Sequence, residues 1–249
     1  MTSLHALKRR VSEYSRLLHA QAWVANHDGN VSARLDGEAG FLITPTGISK
    51  RLCDPETIVV CDSAGEPRGA GRAPSEVALH VGAYRARPDV RAVIHAHPPH
   101  ASAFALAQRR IDPVAMPEVV VSLGDRIPLV PLFLPRDPGV AAAIADALSV
   151  ADVALLAGNG VITAGVDLEQ AFLRLELVEH YARILALTGG IGGPVALDGA
   201  QTQRLLEMRK KAGLGPLTGN APSEPRGALA QRVRPLVAEE VRRMLGGSK

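Results

Sequence analysis

Residues 74–106 read PSEVALHVGAYRARPDVRAVIHAHPPHASAFAL, and most of the fold and chemistry of the chain can be argued from them. Ser75 is placed to cap a helix over 75–85, Glu76 suits its positive end, and Pro88 stops it. Residues 90–97 are apolar apart from Arg91, His95 and His97, and predict a strand. In a strand, residues i and i+2 share a face, so His95 and His97 project side by side. Two neutral imidazoles so placed can bind one divalent cation; the alternative is a histidine pair satisfied by hydrogen bonds. Glu76 lies at the start of the helix that leads into this strand. Its carboxylate could ligate such a metal or act as a base, or simply be a helix-start glutamate stabilised by the dipole. His100 reads as a helix-start residue more than a ligand.

Outward from this block, strands and helices alternate. Residues 4–22 carry apolar positions at helical spacing, and 31–35, 41–44 and 57–61 read as strands separated by turns. Beyond the block, a helix is predicted over about 99–108 and strands over 119–121 and 129–134. Asp137-Pro138 opens another helix. Strands at 153–156 and 161–164 flank the turn Gly158-Asn159-Gly160. Asp167 through Gln170 has capping-box form, opening a helix to about Leu187. Short connections between neighbouring strands argue for an α/β layered fold around a mixed or largely antiparallel sheet. The run Gly-Gly-Ile-Gly-Gly-Pro at 189–194 is the clearest break. It divides a domain over 1–190 from a helical tail over 191–249, with helical patterns at about 199–212 and 224–246.

Composition limits the function classes. The 249 residues are 47% hydrophobic and 21% charged, which excludes wholesale disorder. Aromatics are only 3%, against a base-stacking surface for nucleic acid. No apolar run is long enough for a transmembrane helix, and the N-terminus lacks a signal-peptide core. Two cysteines give no disulfide framework, so a cytoplasmic protein with reduced thiols is expected. The net charge of +3 is uneven: residues 201–249 carry ten Lys/Arg against four Asp/Glu. Without a nucleic-acid motif, that tail reads as a solvated surface or subunit contact, with neither nucleic acid nor membrane as partner. Three turns, at Gly29-Asn30, Thr44-Pro45-Thr46-Gly47 and Pro74-Ser75, could cradle an anion with backbone donors and small polar side chains.

The order GNVSARL, FLITPTGISK, the 74–106 block and LLAGNGVITAGVDLEQAFLRLELVEHYAR resembles the class II aldolase/adducin family over about residues 5–190. The resemblance implies a three-layer α/β/α domain around a mostly antiparallel sheet, assembled as a homotetramer with sites between subunits. It implies that His95 and His97 bind a divalent metal, zinc first, with manganese, cobalt or magnesium as alternatives. It also implies that Glu76 carries protons and that Asn30, Thr46, Gly47 and Ser75 hold the substrate. The expected activity is a metal-dependent carbon–carbon lyase, an aldolase or decarboxylase. Its substrate would be a small hydroxy- or oxo-carbonyl compound, cleaved through a metal-stabilised enediolate. The alternative is a non-catalytic assembly module like the adducin head. Three positions depart from the family pattern. Asn159 stands where a third metal histidine is usual, and Pro74 where a second serine is common. No tyrosine lies near Pro117-Glu118, where the fuculose aldolase has a proton donor. The last two departures point away from a typical sugar phosphate.

Overall fold

The chain first builds a local meander. In the computed structural model, residues 3–37, 39–111, 115–134 and 136–216 are described. Helix α1 spans Leu4–Ala20 and is capped by Ser3, whose side chain accepts from the Ala6 N–H. Strands β1 (Asn30–Arg34), β2 (Phe41–Ile43) and β3 (Val59–Cys61) pair antiparallel in sequence order. Helix α2 (Val77–Ala86) leads into β4 (Ala92–Ala96), which pairs antiparallel with β1. The rest adds α3 (Pro99–Leu106), α4 (Pro117–Leu123), β5 (Leu129–Val130), α5 (Val140–Val150), β6 (Val153–Leu156), β7 (Val161–Gly165), α6 (Leu168–Thr188) and α7 (Gly199–Lys211).

Among the described residues, the strands form one sheet ordered β3-β2-β1-β4-β7-β6-β5, antiparallel except for β5 beside β6. Both faces are covered. Leu42 packs in the core with α1, α3 and α6, and its neighbour Ile43 in the core with α2 and α5. Both side chains are fully buried, and burial of each contributes about 1.5–3 kcal/mol. The same alternation puts Ala92, Ile94 and Ala96 in the first core and Val93 in the second. His95 therefore points to the α2/α5 face. The expected three-layer α/β/α architecture is the one found.

Several local expectations change. The helix expected from Ser75 begins at Val77, with Glu76 in the cap position and no side-chain cap bond. The β-branched run 119–121 is helical, not a strand. Pro117 starts α4, and Val120 and Val121 pack on Leu205 of α7, so tertiary packing overrides propensity. The strand expected over 129–134 is limited to Leu129–Val130, and α5 starts at Val140, past Asp137-Pro138. Asp167 caps α6 as expected, accepting from the Gln170 N–H. The helical pattern at 224–246 lies outside the described residues. Helix α7 is fastened by an ion-pair cluster. Buried Asp152 meets Arg174 Nη2 at 2.8 Å, Arg87 Nη1 at 3.0 Å and the Arg209 guanidinium of α7.

Candidate functional site

Strand register gathers the site. Asn30 opens β1 directly across from His95 of β4, and His95 lies across from Ile162 of β7. Beyond Val161, the turn Gly158-Asn159-Gly160 runs past the end of β4, beside His97. On the other side, the Thr44 N–H bonds Val31 O, so β2 delivers the Thr46-Gly47 turn next to Asn30. The Thr46 N–H in turn bonds Arg72 O, tying that turn to the segment that leads to Ser75 and Glu76. Pairings more than 60 residues apart thus bring the candidate residues to one end of the sheet.

The imidazoles are oriented by their Nδ1 atoms. His95 Nδ1 lies 3.0 Å from the carbonyl of Val161, which can only accept, so Nδ1 carries the hydrogen. His97 Nδ1 lies 3.3 Å from Asp28 Oδ2. Asp28 is itself held through Oδ1 by the Ala25 N–H. Both rings thereby turn Nε2 outward as a bare acceptor, the arrangement in which an acceptor on the far nitrogen orients a metal-binding histidine. Both Nε2 atoms are buried and accept no hydrogen bond. Buried acceptors left without donors are costly unless something else fills the place. The pair therefore fits a divalent cation, with the Glu76 carboxylate 3.4 Å from His95 Nε2 as its charged neighbour. Among the described residues, no group of three or more His, Cys, Asp or Glu converges closely enough to complete a cage.

Two glycines make the approach possible. Gly160 has φ of +70°, and a Cβ there would lie 2.4 Å from Ala96 O and 2.6 Å from His97 Cδ2. Gly29, with φ of +71°, would place a Cβ 3.0 Å from His95 O. Both positions combine a left-handed backbone with a close neighbour, so only glycine fits.

Glu76 reaches in from the start of α2. Its Oε1 lies 3.4 Å from His95 Nε2 and accepts a 2.8 Å hydrogen bond from Asn159 Nδ2. Burial opposes its charge, but His95 and the Asn159 donor outweigh burial and hold the carboxyl below the usual carboxylate range. For His95, burial lowers the pKa and Glu76 more than compensates; for His97, burial and His95 together lower it. Asn159 thus stands at the expected turn and faces the site, with its amide engaged by Glu76. Beside Glu76 and Asn159 opens a cavity of about 220 Å³, walled by Ser75 and by Leu132, Phe133 and Leu134.

Some residues were not singled out from sequence. Asp28 lies just before β1, and nothing in its spacing points to His97, 69 positions on. Lys50 is buried, with Nζ donating to His27 O and Ile48 O, and burial lowers its pKa. His80, four residues after Glu76, turns away to Ser32 and Asn30. His100 accounts for itself differently: its Nδ1 meets Glu179, which also accepts from the His100 and Ala101 N–H groups at the start of α3.

The sequence profile described as Class II Aldolase and Adducin N-terminal domain matches residues 9–186. The chain is 32% identical over 210 residues to a 5-methylthioribulose-1-phosphate/5-deoxyribulose-1-phosphate aldolase of Escherichia coli O45:K1, covering 84% of this chain and 97% of that protein. It is 28% identical over 189 residues to a 3-oxo-tetronate 4-phosphate decarboxylase of Haemophilus influenzae, covering 74% and 88%. Among solved structures, an L-fuculose 1-phosphate aldolase superimposes with a TM-score of 0.76 at 26% identity, over 82% of this chain and 96% of that one.

Proposed function

The chain belongs to the class II aldolase and adducin N-terminal domain family and is a lyase of that type; on that premise we propose how its own residues carry the reaction. The observation that carries the proposal is the pair of buried, bare Nε2 atoms of His95 and His97 beside the Glu76 carboxylate. Enzymes of this family depend on a divalent metal, and His95 and His97 would hold it, with Glu76 close by. Zinc is our choice, since two imidazoles are borderline-soft ligands, with manganese, cobalt or magnesium as alternatives. The metal, when bound, supplies a Lewis acid that polarises a substrate carbonyl.

Glu76 is the proton carrier. It is ionised and held by the Asn159 amide on one oxygen, which leaves the other to take a proton from, or return it to, the substrate. Asn30, Thr46, Gly47 and Ser75 hold the anionic end of a small hydroxy- or oxo-carbonyl compound. Pro74 removes one hydroxyl from that cradle, which argues for weaker grip on a phosphate than a second serine would give. The relatives named above act on phosphorylated compounds; for this chain we favour a substrate outside the typical sugar phosphates. The apolar wall of Leu132, Phe133 and Leu134 suits the remainder of the substrate, beyond the bond that breaks. No observation favours the non-catalytic assembly reading, and the relatives are named as enzymes.

Catalysis is assigned to residues 1–190, with 191–249 as an appended helical segment. A homotetramer, reduced Cys53 and Cys61, and a cytoplasmic location complete the reading; both cysteines are buried. Among the described residues, no helix is long and apolar enough to cross a membrane. The test is a carbon–carbon cleavage panel of phosphorylated and non-phosphorylated aldols and 3-oxo acids. The chain is run chelated, then reloaded with each metal. Metal-dependent cleavage is expected; a chain that takes up none of the metals refutes the reading.

A further inference from the structure

A line of four buried side chains runs behind Asn30. Asn30 and Ser32 share a face of β1, and His80 and Tyr84 share a face of α2, so strand period two meets helix period four. Asn30 Nδ2 lies 2.7 Å from Gly29 O, and His80 Nε2 lies 3.4 Å from Asn30 Oδ1. Ser32 Oγ lies 2.6 Å from His80 Nδ1 and 2.7 Å from Tyr84 Oη. All four residues are less than a tenth exposed.

The directions of these bonds are forced. Gly29 O can only accept, so the Asn30 atom beside it is the amide nitrogen and the carbonyl oxygen faces His80. His80 must then donate from Nε2, which leaves Nδ1 as an acceptor. Ser32 therefore donates to His80, and its oxygen receives the Tyr84 hydroxyl hydrogen. Every proton has one place, provided His80 is neutral. Burial, with His95 nearby, pushes the His80 pKa down to about 3. Tyr84 is held from its other side, packed on Phe41 with the Arg34 guanidinium over its ring.

We propose that His80 is a positioning residue which, with Ser32 and Tyr84, fixes the Asn30 amide as an N–H donor to the anionic group of the substrate. Asn30 Nδ2 spends one hydrogen on Gly29 O and keeps the other for the ligand. Without His80, Gly29 O alone holds the amide, and its second N–H is no longer fixed in direction toward the ligand. The proposal rests on the reading of Asn30 as a substrate-holding residue.

Two experiments on the full chain separate the two claims. Nitrogen NMR of His80 is expected to show Nε2 protonated and Nδ1 bare; an Nδ1-protonated ring overturns the donor line whatever Asn30 binds. Calorimetric titration with inorganic phosphate tests the consequence. Asn30→Ala is expected to weaken phosphate binding about tenfold or more, the scale of one hydrogen bond to a charged group. Unchanged affinity in that variant removes the reading of Asn30. His80→Leu should weaken phosphate binding, by no more than Asn30→Ala does, and cause no further loss in the Asn30→Ala background. His80→Gln, whose amide N–H can stand where Nε2–H stood, should restore most of the loss. A His80→Leu loss that persists undiminished without Asn30, or that Gln does not restore, is general damage and overturns positioning. If His80→Leu does not fold, Ser32→Ala carries the test. It removes the donor that fixes the His80 tautomer, and parent-like affinity in it overturns the proposal.

Discussion

Replacing Gly160 by alanine tests whether the His97 position is set by backbone contact. The added Cβ would lie 2.4 Å from Ala96 O and 2.6 Å from His97 Cδ2. Ordinary carbon–oxygen and carbon–carbon contacts are roughly 3.3–4.0 Å, so about 1 Å of movement is required. The neighbours that must move are the end of β4 and the His97 ring. Left-handed φ at a residue with a Cβ costs about 1–2 kcal/mol, and forced overpacking typically adds about 1–3 kcal/mol. For a chain of this size, each kcal/mol lowers Tm by about 2–4 °C. A fall of about 4–20 °C is expected. Metal ligands tolerate displacements of about 0.2 Å, so zinc affinity should fall about tenfold or more. Gly213→Ala is the control: its φ is +69°, but a Cβ there meets nothing within 4 Å. It should show the backbone cost alone and parent-like zinc affinity. Thermal unfolding and zinc calorimetry on both variants decide the matter. A Gly160→Ala chain that binds zinc like the parent and melts with Gly213→Ala would falsify the argument.

Glu76→Gln should keep the fold and part of the metal affinity but lower turnover by about 10²–10⁴, measured by steady-state cleavage on the metal-loaded chain; full activity would exclude Glu76 as proton carrier. Asn159→His should tighten zinc, because it adds an imidazole at a turn that already faces Glu76. Equal or weaker zinc affinity in a folded variant would take position 159 out of the coordination sphere. Asp152→Asn leaves Arg87, Arg174 and Arg209 crowded without their carboxylate and should cost about 3–5 kcal/mol in denaturant unfolding, with α7 open to proteolysis. Burial raises the Asp152 pKa, but the three arginines outweigh it and hold it below the ordinary value. The unfolded carboxyl titrates near 3.9, so the stabilisation is complete above roughly pH 4 and is lost as pH falls through the lower folded value. The parent should lose stability over that acid range more steeply than Asp152→Asn; parallel pH profiles would contradict this.

What could be read from sequence was what depends on neighbours a few residues away. The i, i+2 spacing of His95 and His97 put both rings on one strand face, apolar spacing assigned α1, and the short apolar runs flanked by turns assigned β4 and β7. The Asp167 cap and the Gly158-Asn159-Gly160 turn are likewise local chemistry. Glu76 was legible as a helix-start carboxylate, though Ser75 proved not to cap that helix. The tertiary structure decided whatever depends on distant partners. Residues 119–121 are β-branched, yet they form a helix because Leu205, over 80 positions later, packs on them. Asp28 holds His97 and Val161 O holds His95, and neither pairing has a period to betray it. The bareness of the two Nε2 atoms is a consequence of those pairings, since a histidine tautomer is set by what its other nitrogen meets. A sequence fixes which side chains are available and which face they take; only the closed sheet fixes which hydrogen each of them carries.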